Sequence, residues 1–529
     1  MNRLGKWLLI TLLAVIVISV ALNILLEPKF GSDINSENTN TDQDSDSIAF
    51  TVNIPANTSD GDIIYLEYFG LEGMTQAKMS ETIDDVYTVS IPIENFEKRT
   101  GTADATVGKY RYNRNGWGWV TSEYLEPDTL QFYNNDLGRE VTLTPGLEEN
   151  DIIDRWRWFP VGDINNTSNI EPVAEWQARL NDQTFWSGQI VEDLYTKEYD
   201  PHFDSLAQKL VDQGYAWAGF APPWQWQGVD PLPVLGNSYD YGSTDHPNYP
   251  TYEKFVEHMK AFTDQGLEAY VLAQICCSEF DNLPVEGRSL EWQQAYADEI
   301  EKFHLFHARA AEEARAQAYL FDAYSIPALA EINAVDRMAE MLVKIREIFT
   351  GQIGTHVSIF LPDDSPTSQG IIPQVQDITW GDLVDFFVLR AEGSLAEKDD
   401  PTDDELKTGA AAIVDEAKVL YETFNKPVVV RTQYYSIKQA WRGPDYYHSG
   451  KIPAHETAED AWESPQTFSG QDQARVVNAY LQAIAERPWV IGYFNFGYTH
   501  WEMPLYPDWN TRGKPADDVI RKWNELIYE

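Results

Sequence analysis

Eight short apolar runs recur through the last two-thirds of the chain, each followed by a more polar stretch, and no other feature narrows the fold so far. They are "TFWSGQI" (184–190), "YAWAGFA" (215–221), "EAYVLAQI" (268–275), "AYLFDAY" (318–324), "GTHVSIFL" (354–361), "VDFFVLRA" (384–391), "PVVVRTQ" (427–433) and "WVIGYFNF" (489–496). Runs that are apolar on both faces belong to parallel strands covered by helices. The intervening "PHFDSLAQKLVDQG" and "TYEKFVEHMKAFTDQG" are amphipathic and stop at glycine, a common helix end. Eight strand–helix units within residues 151–529 predict a (β/α)8 barrel, with its longest loops after strands two, three, six and seven. Functional side chains in such a barrel project from the C-terminal ends of the strands.

Residues 48–150 follow another rhythm. "IAFTVNI", "DIIYLEYFG", "DVYTVSIPI", "GKYRYNR", "LQFYN" and "REVTLT" are β-branched or aromatic, roughly alternating, and separated by turn residues. They predict an all-β sandwich ahead of the barrel. Residues 31–47, "GSDINSENTNTDQDSDS", have too few apolar side chains to offset their ordering entropy and read as a disordered acidic linker. Within residues 1–30, Arg3 and Lys6 precede the uncharged run Trp7 to Leu26, long enough to span a bilayer core of roughly 30 Å. An uncleaved signal anchor and a cleaved signal peptide ending at Ser19-Val20-Ala21 both fit this segment. Either way the remainder is expected to be exported, secreted or held at the outer face of the cytoplasmic membrane.

A formal charge of −45 excludes a phosphate backbone as a partner and gives a solvated acidic surface. There is no glycine-rich phosphate loop and no serine nucleophile elbow, so no cofactor is expected. His304 and His307 lie three apart on a predicted helix without a third ligand at a recognisable spacing, so no metal site is assigned. The two cysteines, Cys276 and Cys277, are adjacent at the exit of the third strand. Their Cα atoms, about 3.8 Å apart, sit below the usual disulfide range. A strained vicinal disulfide and two buried thiols remain the alternatives.

Several stretches carry a resemblance. "LVDQGYAWAGFAPPWQW", "FTDQGLEAYVLAQI", "GDLVDFFVLRAEG", "KPVVV" and the terminal "QARVVNAYLQAIAERPWVIGYFNFGYTHWE" with "WNTRGKPADDVIRKW" resemble the clan-A glycoside hydrolases, nearest to the mannanase-type barrels of family 113. "FTVNIPANTSDGDIIYLEYF" and "VGKYRYNRNGWGWVTSE" resemble a starch-binding-type carbohydrate-binding module. The resemblance implies a carbohydrate polymer or oligosaccharide as ligand. In the module, Trp117 and Trp119 would be the sugar platform unless they pack in the sandwich. The family places an acid/base glutamate after strand four and a nucleophile glutamate after strand seven. Here strand four reads "YLFDAYS" and strand seven offers Thr432 or Gln433, so the usual pair is not matched.

Glycoside cleavage needs one carboxyl to protonate the leaving oxygen and a second to attack or to activate water. Asp322 ends strand four and Glu392 ends strand six. By analogy with other barrel glycosidases, which place a nucleophile aspartate after strand four and an acid after strand six, they form the first candidate pair. Glu279 after strand three and Glu502 after strand eight are the alternates. An Asp322 paired with an arginine, or a Glu392 paired with Arg390, would have a structural role instead. Trp224 and Trp226 after strand two, Gln433, Tyr434 and Tyr435 after strand seven and Trp501 after strand eight are candidate sugar-binding residues. Two functions follow: an extracellular glycoside hydrolase with a two-carboxylate mechanism, or a polysaccharide-binding protein with a degenerate glycosidase barrel.

Overall fold

The computed structural model describes residues 46–71, 73–100, 106–116, 121–125, 138–160, 162–172, 175–179, 183–191, 201–222, 224–237, 252–273, 275, 288–321, 334–357, 378–444 and 468–528. The chain divides into two compact units between Arg157 and Trp158. The apolar segment at residues 7–26 lies outside the described residues, among which no helix is long and apolar enough to cross a membrane.

The described residues of the first unit form nine strands: β1 (Ser47–Asn53), β2 (Ile64–Gly70), β3 (Gly73–Lys78), β4 (Ser80–Ile83), β5 (Val86–Pro92), β6 (Arg99–Thr100), β7 (Thr106–Arg114), β8 (Arg139–Thr142) and β9 (Glu148–Ile152). One sheet has the order β4-β5-β1-β9, the other β3-β2-β7-β6 with β8 also on β7. Within the first sheet β1 runs antiparallel to β5 but parallel to β9, pairing Ala49 to Asn53 with Glu148 to Ile152. Phe50 of one sheet meets Tyr110 of the other at 4.9 Å between ring centres, which is the sandwich core. A charged cluster crosses the same gap: Asp151 accepts from the Tyr110 and Tyr112 hydroxyls and from Arg139, each at 2.8 Å. Arg139 also forks onto the buried Glu123.

The predicted sandwich is therefore present. The strands β3, β4, β6 and β9 are additions to the expected set: "GMTQAK" and "EENDI" are poor in β-branched and aromatic residues, and "SETI" and "RT" are too short to show an alternation. The expected strand "LQFYN" lies outside the described residues.

The second unit is a closed parallel barrel of eight strands: β10 (Trp186–Val191), β11 (Trp217–Phe220), β14 (Glu268–Ala273), β15 (Ala318–Phe321), β16 (Gln352–Val357), β17 (Phe386–Ala391), β18 (Val428–Thr432) and β19 (Val490–Tyr498). A hairpin of β12 (Trp224–Gly228) and β13 (Val234–Asn237) is inserted after β11. The described helices are α1 (Phe203–Asp212), α2 (Tyr252–Thr263), α3 (Leu290–Glu313), α4 (Ala334–Ile348), α5 (Asp403–Glu416), α6 (Lys418–Phe424), α7 (Gly470–Ala485) and α8 (Pro515–Tyr528). All eight predicted strands are found, and β19 pairs with β10 to close the ring.

Closure follows from the pattern of large and small side chains inside. Trp186, Trp217, Tyr270, Leu320, Phe386, Val429 and Phe494 fill the lumen. Glycines let the rings pass: a Cβ on Gly188 would lie 2.1 Å from the Phe494 ring, and one on Gly354 would lie 2.3 Å from Phe386. Outward residues such as Val428 and Val430 are buried under the helices, which is why these strands read as continuously apolar.

Candidate functional site

Period-two alternation carries the lumen face of each strand out to the C-terminal mouth. On β17, Phe386 and Val388 face inward, so Arg390 and then Glu392 follow. On β18, Val429 faces inward, followed by Arg431 and Gln433. Arg390 and Arg431 are register partners, and Glu392 and Gln433 each lie one position beyond the Ala391–Thr432 pair. His356 on β16 and Phe496 on β19 complete the ring on the flanking strands.

Arg431 is only 2% exposed. Its guanidinium lies 4.5 Å from the Phe496 ring centre and its Nη1 is 3.5 Å from His356 Nε2. Burial, followed by the charges of Arg431 and Arg390, pushes His356 well below the usual imidazole range, so it is neutral and its Nε2 is suited to accept. Glu392 is half-buried, and Arg390 Nε donates to its Oε1 at 2.5 Å. Gln433 is half-buried at the neighbouring exit. Thr432 turns away from the lumen, its hydroxyl 2.8 Å from that of Tyr493.

The other predicted residues are held elsewhere. Glu502 is 8% exposed and faces Arg512 at 3.5 Å and Lys209 at 3.7 Å, beside α8 and not in the lumen. Trp224 packs on Phe303, Phe306 and His307 of α3. Trp226 is buried in a stack on Tyr296, 4.6 Å away, with Trp292 beyond it. The Tyr434 hydroxyl donates to Gly393 O at 2.6 Å and lies 2.8 Å from the Tyr480 hydroxyl. Burial holds its pKa well above the usual phenol value. Tyr435 packs with Ile437 and Trp509, and Trp501 sits edge-on to His500. These five rings belong to the packing around the mouth. Asp322, Glu279, Cys276, Cys277, Trp117 and Trp119 lie outside the described residues.

His304 and His307 are buried, their Nδ1 atoms 2.8 Å from the Tyr319 hydroxyl and Phe303 O respectively. Burial lowers both pKa values, to about 3 for His307. Among the described residues no three His, Cys, Asp or Glu side chains gather as a metal site.

Arg431 and His356 have no role in the sequence reading, and Arg390 enters it only as a structural partner of Glu392, a pair that is formed here. The alternation of "VVVRTQ" and "FFVLRAE" contained the signal, since it puts each arginine on the face of the inward valines.

The "RGKPA" run has a structural task. Arg512 donates to Thr499 O at 3.0 Å and also bonds His500 O. Lys514, fully buried, bonds Ser436 Oγ at 3.0 Å and pairs with Asp508. It thus ties the segment after β18 to the one after β19.

No protein-family model matches the chain, and no curated protein matches it. Among solved structures it is similar to a GH113 β-1,4-mannanase, at 12% identity and a TM-score of 0.46, over 65% of this chain and 99% of that one. The GH113 β-mannanase AaManA from Alicyclobacillus acidocaldarius gives 15% identity and a TM-score of 0.48 over the same shares. A family 1 β-glucosidase from Thermotoga maritima gives 12% and 0.37, over 68% of this chain and 99% of that one. At such identities and TM-scores a likeness transfers neither a substrate nor a residue.

Proposed function

We propose that the barrel is a glycoside hydrolase domain that cleaves a polysaccharide or oligosaccharide at its C-terminal mouth, with Glu392 and Asp322 as the two carboxyl groups. The observation that supports this is the placement of Glu392 at the lumen-facing exit of β17, half-buried beside the neutral Gln433. Its bond from Arg390 argues for a particular role. A carboxylate held by a guanidinium is an acceptor, suited to attack or to activate water and not to hand over a proton. Asp322, two residues after Leu320 in the sequence, is then the proton donor, the reverse of the roles suggested by analogy. Export through the segment at residues 7–26 would bring the domain to an extracellular polymer.

One observation favours a second reading. Both described candidate acids, Glu392 and Glu502, are engaged with cations, as in a barrel that binds without cleaving. A hydrolysis screen on α-glucans, β-glucans and mannans separates the two. The wild type is expected to release reducing ends from at least one polymer. Glu392→Gln and Asp322→Asn should each abolish release while leaving binding to that polymer within a few-fold. Binding by the wild type with no release on any polymer would instead establish the binding protein.

A further inference from the structure

At the opposite end of the barrel from Arg390 and Glu392, the starts of six strands line an open cavity of about 980 Å3. That volume is at the upper end of the range for small-molecule sites, whereas this face of a (β/α)8 barrel ordinarily serves stability. Trp186 and Trp217, stacked 4.3 Å apart, form part of its wall.

The polar groups around the cavity fall into two sets. Some are committed to one another: Arg346 pairs with Asp385 at 2.6 Å, and Glu312 accepts from the Thr350 N–H at 2.9 Å. Others are not. Glu268 opens β14, and its Oε2 is buried without a hydrogen-bond partner among the described residues. Burial raises its carboxyl pKa, which keeps down the cost of that position. Gln317 Oε1 accepts from the Ala269 N–H at 2.7 Å, which fixes the amide and leaves its NH2 as the donating end. Arg315 follows α3 at φ 59°, a left-handed position usually taken by glycine or asparagine, and its side chain is exposed at the rim. That conformation closes the helix, with the Ala316 N–H returning to Ala311 O at 2.9 Å, and it sets the Arg315 side chain at the rim.

The charge balance selects the ligand class. Three carboxylates (Glu268, Glu312 and Asp385) oppose an anion, and two guanidiniums (Arg315 and Arg346) oppose a cation. A hydroxyl both donates and accepts, so it matches a carboxyl, an amide and a guanidinium set side by side. We infer that this N-terminal cavity is a second binding site, taking a neutral mono- or disaccharide whose hydroxyls accept from Arg315 and Gln317 and donate to Glu268. The site stands independently of any chemistry at the mouth.

Calorimetric titration of the full chain with cellobiose and mannobiose tests this, with glucuronate and glucosamine as charged comparators. Saturable binding of a neutral disaccharide is expected, with weaker binding of both charged sugars. Arg315→Gly should raise the melting temperature by relieving the left-handed residue, yet weaken the disaccharide by about tenfold, the loss of one strong hydrogen bond. Glu268→Leu should weaken it comparably while the protein stays folded, whereas Gln433→Ala, at the mouth, should leave this binding unchanged. No saturable binding, binding lost with Gln433→Ala, or binding indifferent to both Arg315→Gly and Glu268→Leu would each overturn the site.

Discussion

Arg431 holds a permanent charge at 2% exposure, and its neighbours show how a barrel core accommodates one. The Phe496 face and the neutral His356 nitrogen both present electron density to the guanidinium. Rings at the same end do a different job. Trp226 is locked in a three-ring stack, so Trp226→Ala should cost about 3–5 kcal/mol in urea-unfolding stability, in the range for a buried aromatic. Half-buried Gln433→Ala should stay within about 0.5 kcal/mol by the same measurement while weakening polymer binding. A comparable stability loss at both positions would count against assigning Gln433 to a ligand. At this scale the sequence was partly legible. The Arg390–Glu392 pair follows from two same-face positions on one strand. Whether a ring past a strand end meets sugar or helix depends on the neighbouring helix: Trp226 meets α3, more than sixty residues further along.

The join between β19 and α8 is where elements depend on one another most. Asp517, in the first turn of α8, accepts from Tyr215 at 2.9 Å, with Tyr498, Glu502, Arg512 and Lys209 around it. Burial raises its pKa to about 7, with the Glu502 charge adding to the shift against Tyr215, Arg512 and Lys209. The folded state therefore keeps a proton that the unfolded chain has already lost near pH 4. Stability through this group falls as pH rises from about 4 to about 7 and is level above that. Asp517→Asn keeps an acceptor and removes the titration. It should remove a stability loss on the order of a few kcal/mol between about pH 4 and 7, read from urea midpoints. An unchanged slope in the variant would place the titration elsewhere. The terminal run was legible as a specific helix entry, but the buried cations in it were not. Only the folded chain brings Lys514 to Ser436, 78 positions back.

Across the whole molecule, the two fold classes could be read because each rests on a repeated local rhythm. Strand–helix alternation fixed the barrel, with every predicted strand overlapping an observed one, and Val428 to Val430 needed no refinement. The sandwich was read less completely. Polar β9 earns its place only through a neighbour almost a hundred residues earlier, and no local pattern announces such pairing. That pairing has a mechanical consequence. Because the first and last strands of the unit lie parallel and adjacent, a pull between the chain before Ser47 and the chain after Ile152 slides them along each other. The ladder from Ala49 to Asn53 then bears the load as a set and does not open bond by bond. Single-molecule stretching through those two points should meet a higher rupture force than stretching through the adjacent ends of the strands, at Asn53 and Ile152, and equal forces would contradict it.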